Sequence, residues 1–495
     1  MRVLTASILC FLTTATAHAG FVDHFATRDD VGVDKAPSLG RSRILVVPVI
    51  IEEANLPTEQ TLLAAMSPFF GDGGVFVEYY DVASLGRFTP QLVLGPSVRF
   101  SSCPLARGPS GRCSITRGDL TALPDATQTI RAVLDELDQT VDFRDFDING
   151  ARTGEPDGVI DGLIFVSNID FGGIALPHLR LCELGSTFCD EPSWDPTYDE
   201  TLVPWVAIAA ARGGSVADAN YVSIHEFGHL LGFVDLYDES NSSTDLPYSV
   251  MGGWNYDAQP DLLAGPSRYL IGWGAPRQAS GTNTYLLRPA AQSGDLLKLG
   301  TGAEYFIAEM RQASGPFDGS IANPGVALYH VNLERQPPAS SDGYLATLLD
   351  CVNCDPWDPF IALEQADGQF ELESGPGNRD DADDLFRAGD AFPSTPARSP
   401  NRAGSAVFDS NRYDGSTTGI AITGIRRTSA GFELDVVHPE LVDRCADLLC
   451  LAGTRCRDGQ CVASDSAPAD EGGGGCSSSP FALIVLLARR RRRGA

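Results

Sequence analysis

The stretch Tyr221–Asp238 reads YVSIHEFGHLLGFVDLYD and contains the pattern His-Glu-x-x-His at residues 225–229. Positions i and i+4 of an α-helix lie on one face, so His225 and His229 can hold the same metal ion. Two imidazoles at this spacing are typical of zinc sites, and Glu226 stands where a general base is needed. The stretch therefore predicts a helix that carries a metal centre.

An ordinary amphipathic helix, with its histidines satisfied by hydrogen bonds, is the competing interpretation. Histidine is scarce here, with 7 among 495 residues, so a chance match to the pattern is rare. Apolar residues around the motif also give the helix surfaces to pack against a core: Val222, Ile224, Phe227, Leu230 and Leu231. We therefore favour the metal-binding interpretation.

The residues after the motif indicate a third ligand. Gly232 predicts the end of the helix and a sharp change of direction. Asp235 then completes the longer pattern His-Glu-x-x-His-x-x-Gly-x-x-Asp. Related zinc enzymes have histidine at this point, and a carboxylate is also an acceptable zinc ligand. We expect Asp235 to be the third ligand, with Asp238 as the alternative.

A methionine turn is expected beneath such a site. The segment 248–254 reads YSVMGGW, and Met251 within it is one of only 4 methionines in the chain. The alternative is a glycine-rich turn with a core methionine. Tyr237 and Tyr248 are both candidates for a hydroxyl that stabilises an oxyanion, and the sequence does not choose between them.

Together, HEFGHLLGFVDLYD and SVMGGW resemble the immune inhibitor A family of secreted zinc metallopeptidases. The resemblance extends over about residues 40–438 and includes, in order, ILVVPVIIEE (44–53), EYYDVASLGRF (78–88), residues 141–166, SRYLIGW (267–273), EYFIAEMRQ (304–312), GVALYHVN (325–332) and EQADG (364–368). One departure is IALPHL at 174–179, where the family usually has a tryptophan-rich segment; His178 is kept, but the tryptophan is absent.

The resemblance implies an α+β fold. A metzincin-like α/β catalytic domain, with a twisted sheet and an active-site helix, is expected over residues 42–283, and a β-rich part of the peptidase region over 284–440. It also implies a monomeric zinc endopeptidase that cleaves extracellular proteins or peptides, with Glu226 as general base. Two other functions stay open: an adhesion or binding protein on a lapsed protease scaffold, and a zinc hydrolase of non-peptide envelope bonds.

The net charge of −29 argues against nucleic acid as a partner and is compatible with calcium binding. Oxygen ligands at alternate positions, as in calcium loops, occur in DING (147–150) and DGVID (157–161). The candidate calcium ligands are Asp147, Asn149, Asp157 and Asp161. The alternative is an Asp/Asn/Gly turn before a strand.

Both ends of the chain carry targeting signals. Residues 1–19 read as an export signal peptide and 20–41 as a leader or short pro-segment. After a flexible linker at 463–475, residues 476–495 combine Cys476, an apolar run and five arginines. This tail resembles myxobacterial C-terminal sorting tags, which implies export, handling by envelope sorting machinery, and secretion or anchoring at the outer cell surface.

Most of the 12 cysteines are expected to form disulfides, because the count outside the signal peptide and tail is even and the chain is exported. Residues 441–462 form a four-cysteine module too short for a core of its own. A redox or metal pair is the alternative for Cys351 and Cys354. The disulfide candidates are Cys103, Cys113, Cys182, Cys189, Cys351, Cys354, Cys445, Cys450, Cys456 and Cys461.

Overall fold

The computed structural model divides the chain into two compact units, residues 1–440 and 441–495. The residues that it describes are 36–103, 123–150, 154–170, 173–176, 196–211, 215–237, 246–252, 260–313, 317–319, 321–335, 353, 355, 357–368, 372, 383–393, 410–439, 454–457 and 460–463.

The first unit mixes helices and sheets, as an α+β fold requires. Its helices are α1 (Glu59–Phe70), α2 (Val75–Ser84), α3 (Leu123–Leu137), α4 (Val216–Leu230), α5 (Gly265–Leu270) and α6 (Ala290–Ser293), with short 3-10 turns at Phe143–Phe146 and Leu333–Arg335. Its strands up to α4 are β1 (Gly40–Ile51), β2 (Phe88–Leu94), β3 (Val98–Phe100), β4 (Leu163–Asp170), β5 (Gly173–Leu176), β6 (Thr197–Tyr198), β7 (Thr201–Leu202) and β8 (Val206–Ala211).

A six-stranded sheet forms the framework of the first half, in the order β2-β1-β4-β8-β5, with β3 also paired to β1. All pairs are parallel except β5 with β8, which is antiparallel. The central strand β1 reads GRSRILVVPVII and is buried from Ile44 onward, as expected for a parallel strand covered on both faces. Strand β5 lies at one edge of this sheet.

Helix α4 packs on the β8–β5 end of the sheet. Phe227 anchors it from within the metal motif, with its ring 5.5 Å from those of Phe76 and Tyr80 and stacked on Phe88. The Tyr80 hydroxyl donates to the Ile224 carbonyl oxygen at 2.6 Å. The predicted apolar face of the helix is therefore buried in an aromatic core, and this packing fixes the position of the helix that carries the two histidines.

The second half of the first unit is β-rich. Its strands are β9 (Arg277–Gln278), β10 (Thr282–Leu287), β11 (Leu297–Leu299), β12 (Glu304–Arg311), β13 (Gly325–Asn332), β14 (Ile361–Leu363), β15 (Ala421–Arg427) and β16 (Phe432–Val437). They form a five-stranded sheet, β14-β13-β12-β11-β9, and a three-stranded sheet, β10-β16-β15.

No structural break occurs at the expected boundary between residues 283 and 284. One hydrophobic core contains Phe227 and Trp273 from the first half together with Tyr305 and Tyr329 from the second. A fully buried ionic network also crosses this boundary. In it, Arg311 contacts Asp318 at 2.5 Å and Glu309 at 3.1 Å, and Arg268 pairs with Glu309. The two halves therefore belong to one compact unit, although the β-rich half also has a second core of its own between β11–β13 and the sheet of β10, β16 and β15.

In the second unit, the described residues form one hairpin of β17 (Thr454–Arg457) and β18 (Gln460–Ala463), in which Cys456 lies opposite Cys461. In the first unit, Cys103 is disulfide-bonded. The other cysteines named above lie outside the described residues. Among the described residues, no helix is long and apolar enough to cross a bilayer.

Candidate metal centre

Helix α4 ends in a Schellman motif directly after His229. The Phe233 amide donates to the Gly228 carbonyl at 3.1 Å, and the Gly232 amide donates to the His229 carbonyl at 2.9 Å. Gly232 has φ = 101°, a conformation that favours glycine. The turn predicted from Gly232 is present, and it directs the chain back along the helix toward the histidines.

Both histidines are oriented by backbone carbonyl groups. Nδ1 of His225 donates to the Val250 oxygen at 2.7 Å, and Nδ1 of His229 donates to the Phe233 oxygen at 2.9 Å. Because a carbonyl can only accept, each ring carries a proton on Nδ1, so the neutral form of each ring has its lone pair on Nε2. The two Nε2 atoms face each other at 3.2 Å. This is the tautomer that a metal ligand needs.

Asp235 completes a triangle with the histidines. Its Oδ1 lies 3.1 Å from Nε2 of His225 and 3.4 Å from Nε2 of His229. This oxygen is buried, and its close polar neighbours in the described chain are these two rings. When both rings are neutral, three electron-pair donors face one another in a buried place, an arrangement that a cation relieves.

The size of the triangle fits zinc. A tetrahedral ion with ligand bonds of about 2.0–2.1 Å keeps its ligand atoms about 3.3–3.4 Å apart. The observed edges are 3.1, 3.2 and 3.4 Å. Because two nitrogens and one carboxylate oxygen match the zinc preference, His225, His229 and Asp235 fit the predicted ion.

Charge interactions within this triangle are strong. Burial alone would lower the pKa of His229, but Asp235 and Glu226 outweigh it and raise that pKa to about 9. The pKa of His225 is raised by the same two carboxylates against burial. Burial would raise the pKa of Asp235, but the imidazoles hold it well below its usual range. Without a metal, protons therefore take the place of the cation.

Glu226 lies beside the triangle of ligand atoms but is not one of the three proposed ligands. Its carboxylate and the ligand nitrogens of His225 and His229 all lie within 4.8 Å of one another, and its side chain is buried. Among the residues that the structure describes, groups of histidine, cysteine and acidic side chains close enough to hold a metal occur at these two histidines, with Glu226 on one side and Asp235 on the other. A carboxylate at this distance can exchange a proton with a water at the metal.

Met251 forms the floor of the site. Its Sδ lies so close to Gly228 that an added Cβ there would meet it at 2.9 Å, and the methionine is fully buried. The preceding Val250 supplies the carbonyl that orients His225, and Tyr248 enters the turn with φ = 58°. The predicted Met-turn segment therefore orients the first histidine through the Val250 backbone, while the Met251 side chain packs against the helix at Gly228.

The two candidate tyrosines differ in position. The ring of Tyr237 stacks against that of His225 with centroids 6.2 Å apart and an interplanar angle of 26°. Tyr248 is buried in the core that lies under the site. Of the two candidates, Tyr237 is therefore the one whose ring lies against a proposed ligand. The alternative third ligand Asp238, and His178, lie outside the described residues.

Of the candidate calcium residues, the three aspartates accept from backbone amides, whereas the Asn149 side chain donates to the Leu39 carbonyl at 2.7 Å. Asp161 Oδ1 accepts from the Asn149 amide at 3.0 Å, and Oδ2 accepts from the Arg43 amide at 2.7 Å. Asp147 accepts from the amides of Asp157 and Gly158 at 3.0 and 2.8 Å. This is the turn arrangement given above as the alternative, and calcium at this loop stays a prediction. Burial raises the pKa of Asp161 to about 7, against the amide hydrogen bonds.

The groups that orient the ligands could not be read from the sequence. They are backbone carbonyls at Val250 and Phe233, and every residue type supplies a carbonyl. Comparison of the chain with protein-family models and with curated protein sequences finds no match. The interpretation of this site therefore depends on its own geometry and chemistry.

Proposed function

We propose that the protein is a zinc-dependent endopeptidase with a metzincin-like catalytic domain, similar to the immune inhibitor A family, that acts on proteins or peptides outside the cell. The observation that carries this proposal is the buried triangle of Nε2 of His225, Nε2 of His229 and Oδ1 of Asp235, with Glu226 beside it. No other cluster in the described residues offers such a donor set.

In the proposed mechanism, His225, His229 and Asp235 would hold the zinc. When bound, zinc supplies a Lewis acid that acidifies water and polarises the scissile carbonyl. Glu226 takes the proton from the attacking water and passes it to the leaving amine. The Nδ1 hydrogen bonds of both histidines keep the ligands in place during these transfers. We assign the oxyanion-stabilising hydroxyl to Tyr237, because its ring stacks on His225.

The unpaired sheet edge next to the helix favours a peptide as the substrate. Strand β5 pairs only on one side, with β8, among the described strands. Helix α4, which carries the histidines, packs against both of these strands. An extended peptide can bind the open edge of such a strand through main-chain hydrogen bonds, as β-augmentation requires.

Removal of zinc tests the proposed function. We expect the purified protein to contain one zinc per chain, to cleave casein, to lose cleavage in a chelator and to regain it when zinc is restored. A parallel panel of ester and non-peptide amide substrates separates peptidase activity from the zinc-hydrolase alternative. A zinc-loaded protein that cleaves no peptide in this panel would contradict the proposal and favour one of the alternatives.

Zinc binding at pH 7 is expected to release protons. With a pKa of about 9, His229 of the metal-free protein is protonated at pH 7, and zinc must displace that proton. Calorimetry in two buffers of different ionisation enthalpy should show release of at least about one proton per zinc. The release should diminish as the pH rises through 9, because the ring is then already neutral. A binding enthalpy that does not depend on the buffer at pH 7 would contradict this.

A further inference from the structure

Asn353 connects the β-rich half of the chain to the metal loop. Its side chain is almost fully buried. Nδ2 donates to the carbonyl oxygens of Leu236 at 3.1 Å and Ile361 at 2.8 Å. Oδ1 accepts from the amides of Phe360 at 3.1 Å and Ile361 at 3.2 Å. Both amide protons and the carbonyl oxygen of this side chain are thus used, which fixes its orientation.

Leu236, one of these partners, directly follows the ligand Asp235. The Leu236 amide donates to the Met251 carbonyl at 2.7 Å, and its carbonyl accepts from the Leu246 amide at 3.0 Å as well as from Asn353. Three hydrogen bonds therefore hold the backbone of Leu236, and the bond from Asn353 is the one that comes from the β-rich half. Asn353 and Leu236 are 117 positions apart in the sequence.

Asp235 needs such support because its loop has no helix or strand of its own. After the Schellman motif, residues 233–237 run as irregular chain. The carboxylate oxygen of Asp235 must stay close to both histidine nitrogens, at the observed 3.1 and 3.4 Å, to share an ion with them. A loop held by fewer bonds would let the carboxylate take other positions, and zinc would then have to restore the geometry at a cost in affinity.

We propose that Asn353 is a positioning residue for the metal site, which holds Asp235 at coordinating distance by binding the carbonyl of Leu236. This inference depends on the proposed zinc function and adds a residue of the β-rich half to it. The proposal also gives the β-rich half a role at the metal site, because the strand Ile361–Leu363 holds the Asn353 side chain through hydrogen bonds to Ile361.

The test compares Asn353→Ala with the wild-type chain. We expect zinc affinity, measured by competition with a chromogenic chelator, to fall about 10–100-fold, as is usual when a group that orients a ligand is removed. The visible spectrum of the Co²⁺-substituted variant should also change, because it reports the ligand geometry rather than the stability of the fold. Circular dichroism and urea unfolding establish that the variant is folded.

Asn332→Ala is the matched control. Asn332 is also buried in the β-rich half, but its side chain bonds to Asp358 and the Glu334 amide. It should lower stability while leaving zinc affinity and the Co²⁺ spectrum unchanged. If wild type binds no zinc, the proposed function itself fails. If wild type binds zinc and Asn353→Ala binds it equally well, only the role of Asn353 fails. If Asn353→Ala is unfolded, Asn353→Ser takes its place, and a second unfolded variant would overturn the positioning role.

Discussion

Replacing Glu226 with glutamine should leave zinc bound and lower the rate of peptide cleavage by about 10²–10⁴-fold, the usual contribution of a general acid–base. Glutamine keeps the size of the side chain but cannot accept the proton from water. The ligands at His225, His229 and Asp235 are untouched, so zinc content should stay at the wild-type level. Casein cleavage and metal analysis of the same preparation measure both quantities.

Glu78→Gln provides the matched control for that experiment. Glu78 lies on the exposed face of α2, so the same change of charge there should leave both the cleavage rate and the zinc content unchanged. The two variants together separate proton transfer from a general effect of charge. If Glu226→Gln cleaved casein at the wild-type rate, Glu226 would not be the base.

Replacing Arg311 with methionine should lower the free energy of unfolding by about 3–5 kcal/mol, because it removes one partner of a buried ionic network and leaves carboxylates uncompensated. Arg311 contacts Asp318 and Glu309 in the core and donates to the Leu262 carbonyl at 3.2 Å. Burial would raise the pKa of Glu309, but Arg268 and Arg311 keep it below its usual value, so the carboxylate is charged in the fold. Urea unfolding measures the change.

Arg288→Met is the control for this second prediction. Arg288 pairs with Asp295 at 2.8 Å, but its side chain is 56% exposed, so solvent screens the pair and stability should change little. Equal stability of Arg311→Met and wild type would show that the network does not hold the two halves together. A large loss in the Arg311 variant would show that the buried network contributes to the stability of the first unit.

Much of the candidate site follows from local sequence. The helix follows from the spacing of its apolar residues, the convergence of His225 and His229 from the i, i+4 geometry, and the turn after the helix from Gly232. Asp235 is also a local prediction, since a glycine turn followed by three residues returns the chain to the same face. Each of these inferences concerns residues fewer than fifteen positions apart, where backbone geometry limits the alternatives.

The packing of the β-rich part against the first half could not be predicted in this way. Turn signals and short strands after Thr284 suggested a β-rich continuation of the peptidase region, and the strands are present as expected. These strands contribute to two cores: one face of β12 to β14 enters the core of the first half, and the other face packs with β10, β15 and β16 in a second core. Glu309 on β12 also pairs with Arg268 from the first half. A sequence shows that such residues will be buried or paired, but not which distant partner they will meet.

The sequence by itself determined the chemistry of the site: two imidazoles, two carboxylates and a methionine, at spacings that a helix and its terminal turn convert into one cluster. The tertiary structure decided how firmly that cluster is held. The carbonyls of Val250 and Phe233 select the tautomers, and Asn353 reaches the ligand loop from 117 positions away. Local spacing specifies which side chains can converge, whereas hydrogen bonds from remote backbone and side chains depend on packing that no local pattern encodes.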